Sequence, residues 1–114
     1  MPFLHVQVSV ALDSQAKEAI RDEIAGIMSI LPNKTRDNTM IRIEGGASLF
    51  MGEEDMPCAF ADLRLFRASP DEAKAQFIRA VTDILNTRLK IPPGRTYVNI
   101  IELQEWGAGG ARLG

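Results

Sequence analysis

The chain has 114 residues, 46% hydrophobic and 25% charged, with a formal net charge of -2, enough apolar content for one packed domain without metal or disulfide support. Acidic and basic residues are interspersed and no Lys/Arg cluster is interleaved with aromatics, which argues against a nucleic-acid surface. No apolar run approaches the roughly 18 residues of a membrane span, and the start MPFLHVQVSV lacks the basic and cleavage-site features of a secretory signal, so the expectation is a cytoplasmic protein.

Residues 3–10 (FLHVQVSV) alternate, with Leu4, Val6, Val8 and Val10 on one side and Phe3, His5, Gln7 and Ser9 on the other, the pattern of a half-buried strand. A helical pattern follows from Asp13 or Ser14, with Ala16, Ile20, Ile24, Ile27, Met28 and Leu31 on one stripe. Pro32 and Asn33 end it. Thr39 to Glu44 (TMIRIE) alternates again and predicts a second strand. The same grammar returns 57 positions later without gaps: Phe3 falls on Phe60, Ala16-Lys17 on Ala73-Lys74, Ile27 on Ile84, Thr39 on Thr96 and Ile43 on Ile100. In the second unit Ser69 can cap the helix, Pro70 suits its first position, and Glu72 completes a capping box. Pro92, Pro93 and Gly94 mark the helix's exit.

These observations predict one domain over residues 1–114, with pseudo-repeats at about 2–46 and 59–103. The fold class is α/β (α+β): two right-handed β-α-β units share a four-stranded sheet that carries two helices on one face. The helices cover Val6, Val8, Ile41, Ile43, Leu63, Leu65, Val98 and Ile100. The opposite face is mixed, and an uncovered face with open edges meets solvent or other subunits. Phe3, Phe60 and Phe66 on that face favour subunits.

Pro2 is the second residue, and a small residue after the initiator permits removal of Met1, which leaves a secondary amine. Chain-terminal amines titrate near pH 8, and burial or a nearby cation lowers that value, so such an amine can be a neutral base near neutrality. The alternative is that Pro2 only begins a strand, where its missing N–H does little harm. His5 lacks the partners of a metal or nucleophilic site and reads as a sheet-face polar residue. Cys58 stands alone, which rules out an internal disulfide or a thiolate metal cluster within one chain. The glycines at 107, 109 and 110 do not link a strand to a helix and so do not form a phosphate cradle.

Met1-Pro2-Phe3 running into a strand, MPCAF at 56–60 and LKIPPGRTYVNIIEL at 89–103 together resemble the tautomerase superfamily, closest to its macrophage migration inhibitory factor and D-dopachrome tautomerase branch. The resemblance implies a cofactor-independent homotrimer with active sites between subunits. It implies keto-enol tautomerisation of a 2-keto acid such as phenylpyruvate, with Pro2 as general base and no metal. By the same likeness Lys34 pairs with the substrate carboxylate, with Arg36 as an alternative. Tyr97 and Asn99 come from the neighbouring subunit, and Phe66 forms an apolar wall.

Two other readings stay open. Arg64 and Arg67 resemble the paired arginines of hydratase, dehalogenase and decarboxylase branches that act on small carboxylic acids, although alternation puts them on opposite faces unless the strand ends or bulges before Arg67. A non-catalytic trimeric binding protein would keep the same scaffold. Trp106 either covers the pocket opening or packs at a subunit contact. The migration factor's second thiol is absent after Cys58, so thiol-disulfide chemistry does not carry over.

Overall fold

The computed structural model describes residues 1–114. Strand β1 (Pro2–Val8) leads to helix α1 (Ser14–Ile27) and strand β2 (Met40–Glu44); β3 (Ala59–Phe66) leads to α2 (Asp71–Leu89) and β4 (Thr96–Leu103). The sheet runs β2-β1-β3-β4, with the two members of each unit parallel and β1 antiparallel to β3. The repeat governs register as well as element order. Phe3 pairs with Met40 in the first unit, and Phe60 pairs with Tyr97, 57 positions on, in the second. Both helices also start at equivalent positions, Ser14 and Asp71.

One face of the sheet is dry. Leu4, Val6, Val8, Ala61, Leu63 and Leu65 meet Ile20, Ile24 and Met28 of the first helical segment and Phe77, Val81 and Leu85 of α2. The intervals of four and eight residues in these sets place one stripe of each helix over the sheet. Full burial of each large side chain stabilises the fold by about 1.5–3 kcal/mol. The edge strands contribute Ile41, Ile43, Val98 and Ile100, which pack against this core while remaining partly buried. No helix is long and apolar enough to cross a membrane.

The uncovered face is mixed, and polar side chains on it pair with one another. His5 Nε2 lies 2.9 Å from Glu44 Oε1, which also takes Arg42 at 3.3 Å. Asn99 Nδ2 donates to Asp62 Oδ1 at 3.0 Å, and Arg64 lies 3.6 Å from the same carboxylate.

Three local expectations change. β1 stops at Val8 rather than Val10, because the Gly45-Gly46 turn crosses here: Ala47 N–H donates to the Val8 carbonyl and Gly46 N–H to that of Val10. Asp13 caps α1 through Ala16 N–H at 2.8 Å, but Ser69 does not cap α2 with its side chain. Instead its N–H donates to Glu102 on β4 at 2.6 Å, and Pro70 takes the cap position. That backbone bond, together with Lys74 at 3.0 Å, holds the Glu102 carboxyl below the usual carboxylate range. The tail forms a hairpin of β5 (Trp106–Ala108) and β6 (Ala111–Leu113), with Gly109 and Gly110 both at positive φ in its turn, as a two-residue hairpin turn requires.

Arg95 ties the long connection before β3 to the second unit. Its guanidinium donates to the carbonyl oxygens of Met51, Glu54, Met56 and Pro57 at 3.0–3.2 Å. Arg95→Ala is expected to destabilise the fold by about 1–3 kcal/mol, read as a lower urea midpoint, because several carbonyls lose a charged donor at once. Lysine in its place restores little, since one ammonium cannot reproduce the planar fork.

Candidate active site

Pro2 opens β1 opposite Leu65 and is buried. Its lack of an N–H suits the first residue of a strand. The Met1 carbonyl accepts from Phe66 N–H at 3.3 Å, and Lys34, on the loop after α1, donates from Nζ to the Phe66 carbonyl at 3.4 Å. Burial first, and the Lys34 charge second, hold the chain-terminal amine below its usual range, since both disfavour a second positive charge there. Arg36 faces elsewhere: its guanidinium lies 3.8 Å from Asp22 on α1.

A cleft of about 560 Å³ opens at this end of the sheet, lined by Pro2, Phe3, Asn38, Met40, Trp106 and Ala108 among others. Met40 is there because it is the register partner of Phe3. The tail hairpin brings Trp106, so this indole lines the amino-terminal cleft in the single chain. Asn38 and the backbone of Phe66 are site features that the sequence pattern did not single out. Asn38 ends a short 3-10 turn without periodicity, and a sequence pattern carries no signal for the backbone of Phe66.

Tyr97 and Asn99 stand at a different place. Tyr97 pairs with Phe60, and Phe60 with Gln7, five residues along β1 from Pro2. At the rise of a strand that is about 16 Å along the sheet, with a further strand spacing of about 5 Å for each strand crossed. Asn99 reaches Pro2 only through Asp62 and His5, three residues along β1, or about 10 Å. Tyr97 is 61% exposed, beside a small apolar cleft of about 150 Å³ lined by Leu49, Phe50, Met51 and Phe60. The chain therefore gathers Pro2, Lys34 and Phe66 at one end of the sheet and leaves Tyr97 and Asn99 away from them.

The two arginines of β3 and its end do not converge. Arg64 is ion-paired with Asp62. The strand ends at Phe66, where Arg67 takes φ 71 and lays its guanidinium 4.9 Å from the centre of the Phe66 ring. No cluster of three or more His, Cys, Asp or Glu side chains is placed to hold a metal ion.

A duplicated β-α-β sheet of this kind is the architecture of the tautomerase superfamily. The chain belongs to the macrophage migration inhibitory factor family, whose model matches residues 1–112. Solved structures share the fold. MIF2 of Leishmania major superposes with a TM-score of 0.90 at 20% identity, over 99% of this chain and 97% of that one. The macrophage migration inhibitory factor-like protein of Entamoeba histolytica gives 0.84 at 18% identity, over 98% of both chains. A structure of Pt0534 inactivated by 2-oxo-3-pentynoate gives 0.80 at 13% identity, over 95% of this chain and 93% of that one. No curated protein matches the sequence.

Proposed function

We propose that the chain is a tautomerase that interconverts the keto and enol forms of a 2-keto acid such as phenylpyruvate, with the Pro2 amine, freed by removal of Met1, as general base. The observation that carries this reading is the amino terminus itself: the Met1 amine is held below its ordinary range by burial and by the Lys34 charge, and the residue that follows it, Pro2, is buried. The amine exposed on losing Met1 is that of Pro2, one residue deeper in the same environment. Burial and the nearby Lys34 charge favour the neutral form of an amine there, the form that accepts a proton.

In the reaction the Pro2 nitrogen takes a proton from the carbon next to the ketone, and negative charge gathers on the carbonyl oxygen. Lys34 holds the carboxylate. Phe66 N–H, which donates to Met1 while that residue is present, becomes a second donor to the carboxylate once it is gone. Tyr97 and Asn99 of a neighbouring copy stabilise the oxygen or seat the substrate. Their distance from Pro2 along the sheet is why a second copy is needed, and a homotrimer closes three such sites. A proton returned to oxygen completes the isomerisation, and the cycle moves only protons.

The geometry weighs against the hydratase, dehalogenase or decarboxylase alternative, because Arg64 is engaged by Asp62 and Arg67 by the Phe66 ring. Turnover of phenylpyruvate, with no halide from 3-haloacrylates and no carbon dioxide from malonate semialdehyde, separates the readings. Lys34→Gln is expected to raise KM for phenylpyruvate about 10- to 100-fold through loss of a charge-assisted bond. It also removes a cation that disfavours protonation of the amine. The amine pKa then rises, and the acid limb of kcat/KM moves to higher pH. An unshifted limb with unchanged KM would exclude Lys34 from the site.

A further inference from the structure

Three residues other than glycine take a positive φ: Asn33, Arg67 and Lys90. Two have ordinary reasons. Asn33 sits in the turn after the first helical segment, and asparagine visits the left-handed region readily. Lys90 is the C-cap of α2, where that conformation closes a helix. Arg67 has neither reason. It follows the last residue of β3 at φ 71, a conformation that persists in a bulky residue only where the surroundings enforce it.

Those surroundings are built around Phe66. Arg67 N–H donates to the Leu103 carbonyl at 2.7 Å, which fixes the β4 side of the Phe66–Arg67 peptide. On the other side Phe66 N–H donates to the Met1 carbonyl, and the Phe66 carbonyl accepts from Lys34 Nζ. An extended Arg67 would send its side chain to the face opposite Phe66. The left-handed turn brings it back, and the guanidinium lies 4.9 Å from the centre of the Phe66 ring. Arg64 is paired with Asp62. Arg67 has no carboxylate partner, and the ring is what its charge holds.

We infer that Arg67 is a positioning residue: by clamping the Phe66 ring it holds the Phe66 peptide against the chain terminus and Lys34, and so keeps the Lys34 ammonium beside the terminal amine. The part that Lys34 and Phe66 play toward a substrate carboxylate rests on the tautomerase reading. The placement of Lys34 is a property of the chain itself and is measured without turnover.

Arg67→Gly isolates the side chain, since glycine takes φ 71 without cost and keeps the backbone bond to Leu103. Cyanate carbamylates only the neutral form of an amine. Its rate at the terminus of protein that retains Met1, read by peptide mass at pH 7, therefore reports how strongly a cation opposes protonation there. Lys34→Gln is expected to slow carbamylation about 2- to 5-fold, the effect of removing one nearby charge in a site that water reaches. Arg67→Gly should slow it as well. The double variant Lys34→Gln/Arg67→Gly should be no slower than Lys34→Gln alone, because Arg67 acts through Lys34. With Met1 removed, Arg67→Gly should raise KM for phenylpyruvate about 3- to 10-fold and leave kcat within about twofold. A carbamylation rate unchanged by Arg67→Gly would overturn the inference. So would a double variant slowed by the product of the two single factors, which would make Arg67 a charge acting on the amine by itself. The non-additive pattern without any phenylpyruvate turnover would instead sink the tautomerase reading and leave the Arg67 inference standing.

Discussion

Pro2→Gly, in protein from which Met1 has been removed, is expected to lower kcat/KM for phenylpyruvate by about 10²- to 10⁴-fold, the usual contribution of a positioned general base. Glycine leaves a primary amine at the chain end, so some activity survives, but it lacks the ring that fixes the lone pair at the start of β1. The fold should be retained, because Pro2 lies outside the hydrophobic core cluster, which begins at Leu4, and donates no sheet hydrogen bond. Retained Met1 should silence the site more completely than the substitution does. A Pro2 nitrogen inside a peptide bond has no basic lone pair, and Met1 itself lines the cleft. Intact mass therefore decides which preparations are worth assaying. Turnover undiminished by Pro2→Gly would remove Pro2 from the mechanism.

The second large effect concerns assembly. Homo-oligomers of Pro2→Gly, and separately of Tyr97→Ala/Asn99→Ala, should each be nearly inactive, the latter because removal of oxyanion donors costs about 10²- to 10³-fold. Mixing the two by co-refolding should restore activity. In a random equal mixture about a quarter of the cyclic interfaces pair an intact Pro2 with an intact Tyr97 and Asn99. Activity near a quarter of the unaltered protein's is thus expected. Activity no greater than the mean of the two parents would place all of these groups on one chain, against the separation of about 16 Å along the sheet that their register sets.

Much of the scaffold is legible in the sequence, for a physical reason. Alternation in β1 and a three- and four-residue stripe in each helix are imposed by burial on one side, and burial leaves a periodic mark. The 57-residue offset added a second constraint, and the paired registers of Phe3 with Met40 and Phe60 with Tyr97 follow it. The tail hairpin was missed because strands of three residues are too short to show alternation. Only Gly109-Gly110 carried a signal, the tolerance for positive φ that a tight turn needs. The role of Ser69 is not legible locally, because a capping pattern cannot show that Glu102, 33 residues away, takes its N–H.

The site was partly legible in a different way. Pro2 announced itself by position. Lys34 and Arg36 could not be separated in sequence, since the loop that carries them has no repeat, and only the fold shows Lys34 beside Phe66 and Arg36 beside Asp22. Tyr97 and Asn99 illustrate the opposite case. Their shared face is a matter of two-residue spacing, whereas their separation from Pro2 within the chain follows only from the strand register.

The central claim is that the Pro2 amine is the reacting group, and covalent capture tests it most directly. 2-Oxo-3-pentynoate inactivates a protein of the same fold, and its electrophilic alkyne reports a nucleophilic neutral amine. Incubation of the protein with Met1 removed, followed by digestion and peptide mass analysis, should find one adduct on the peptide that begins at Pro2, formed in step with loss of phenylpyruvate turnover and absent while Met1 remains. Loss of turnover with the adduct on Cys58 or a lysine, or full turnover with Pro2 modified, would contradict the assignment.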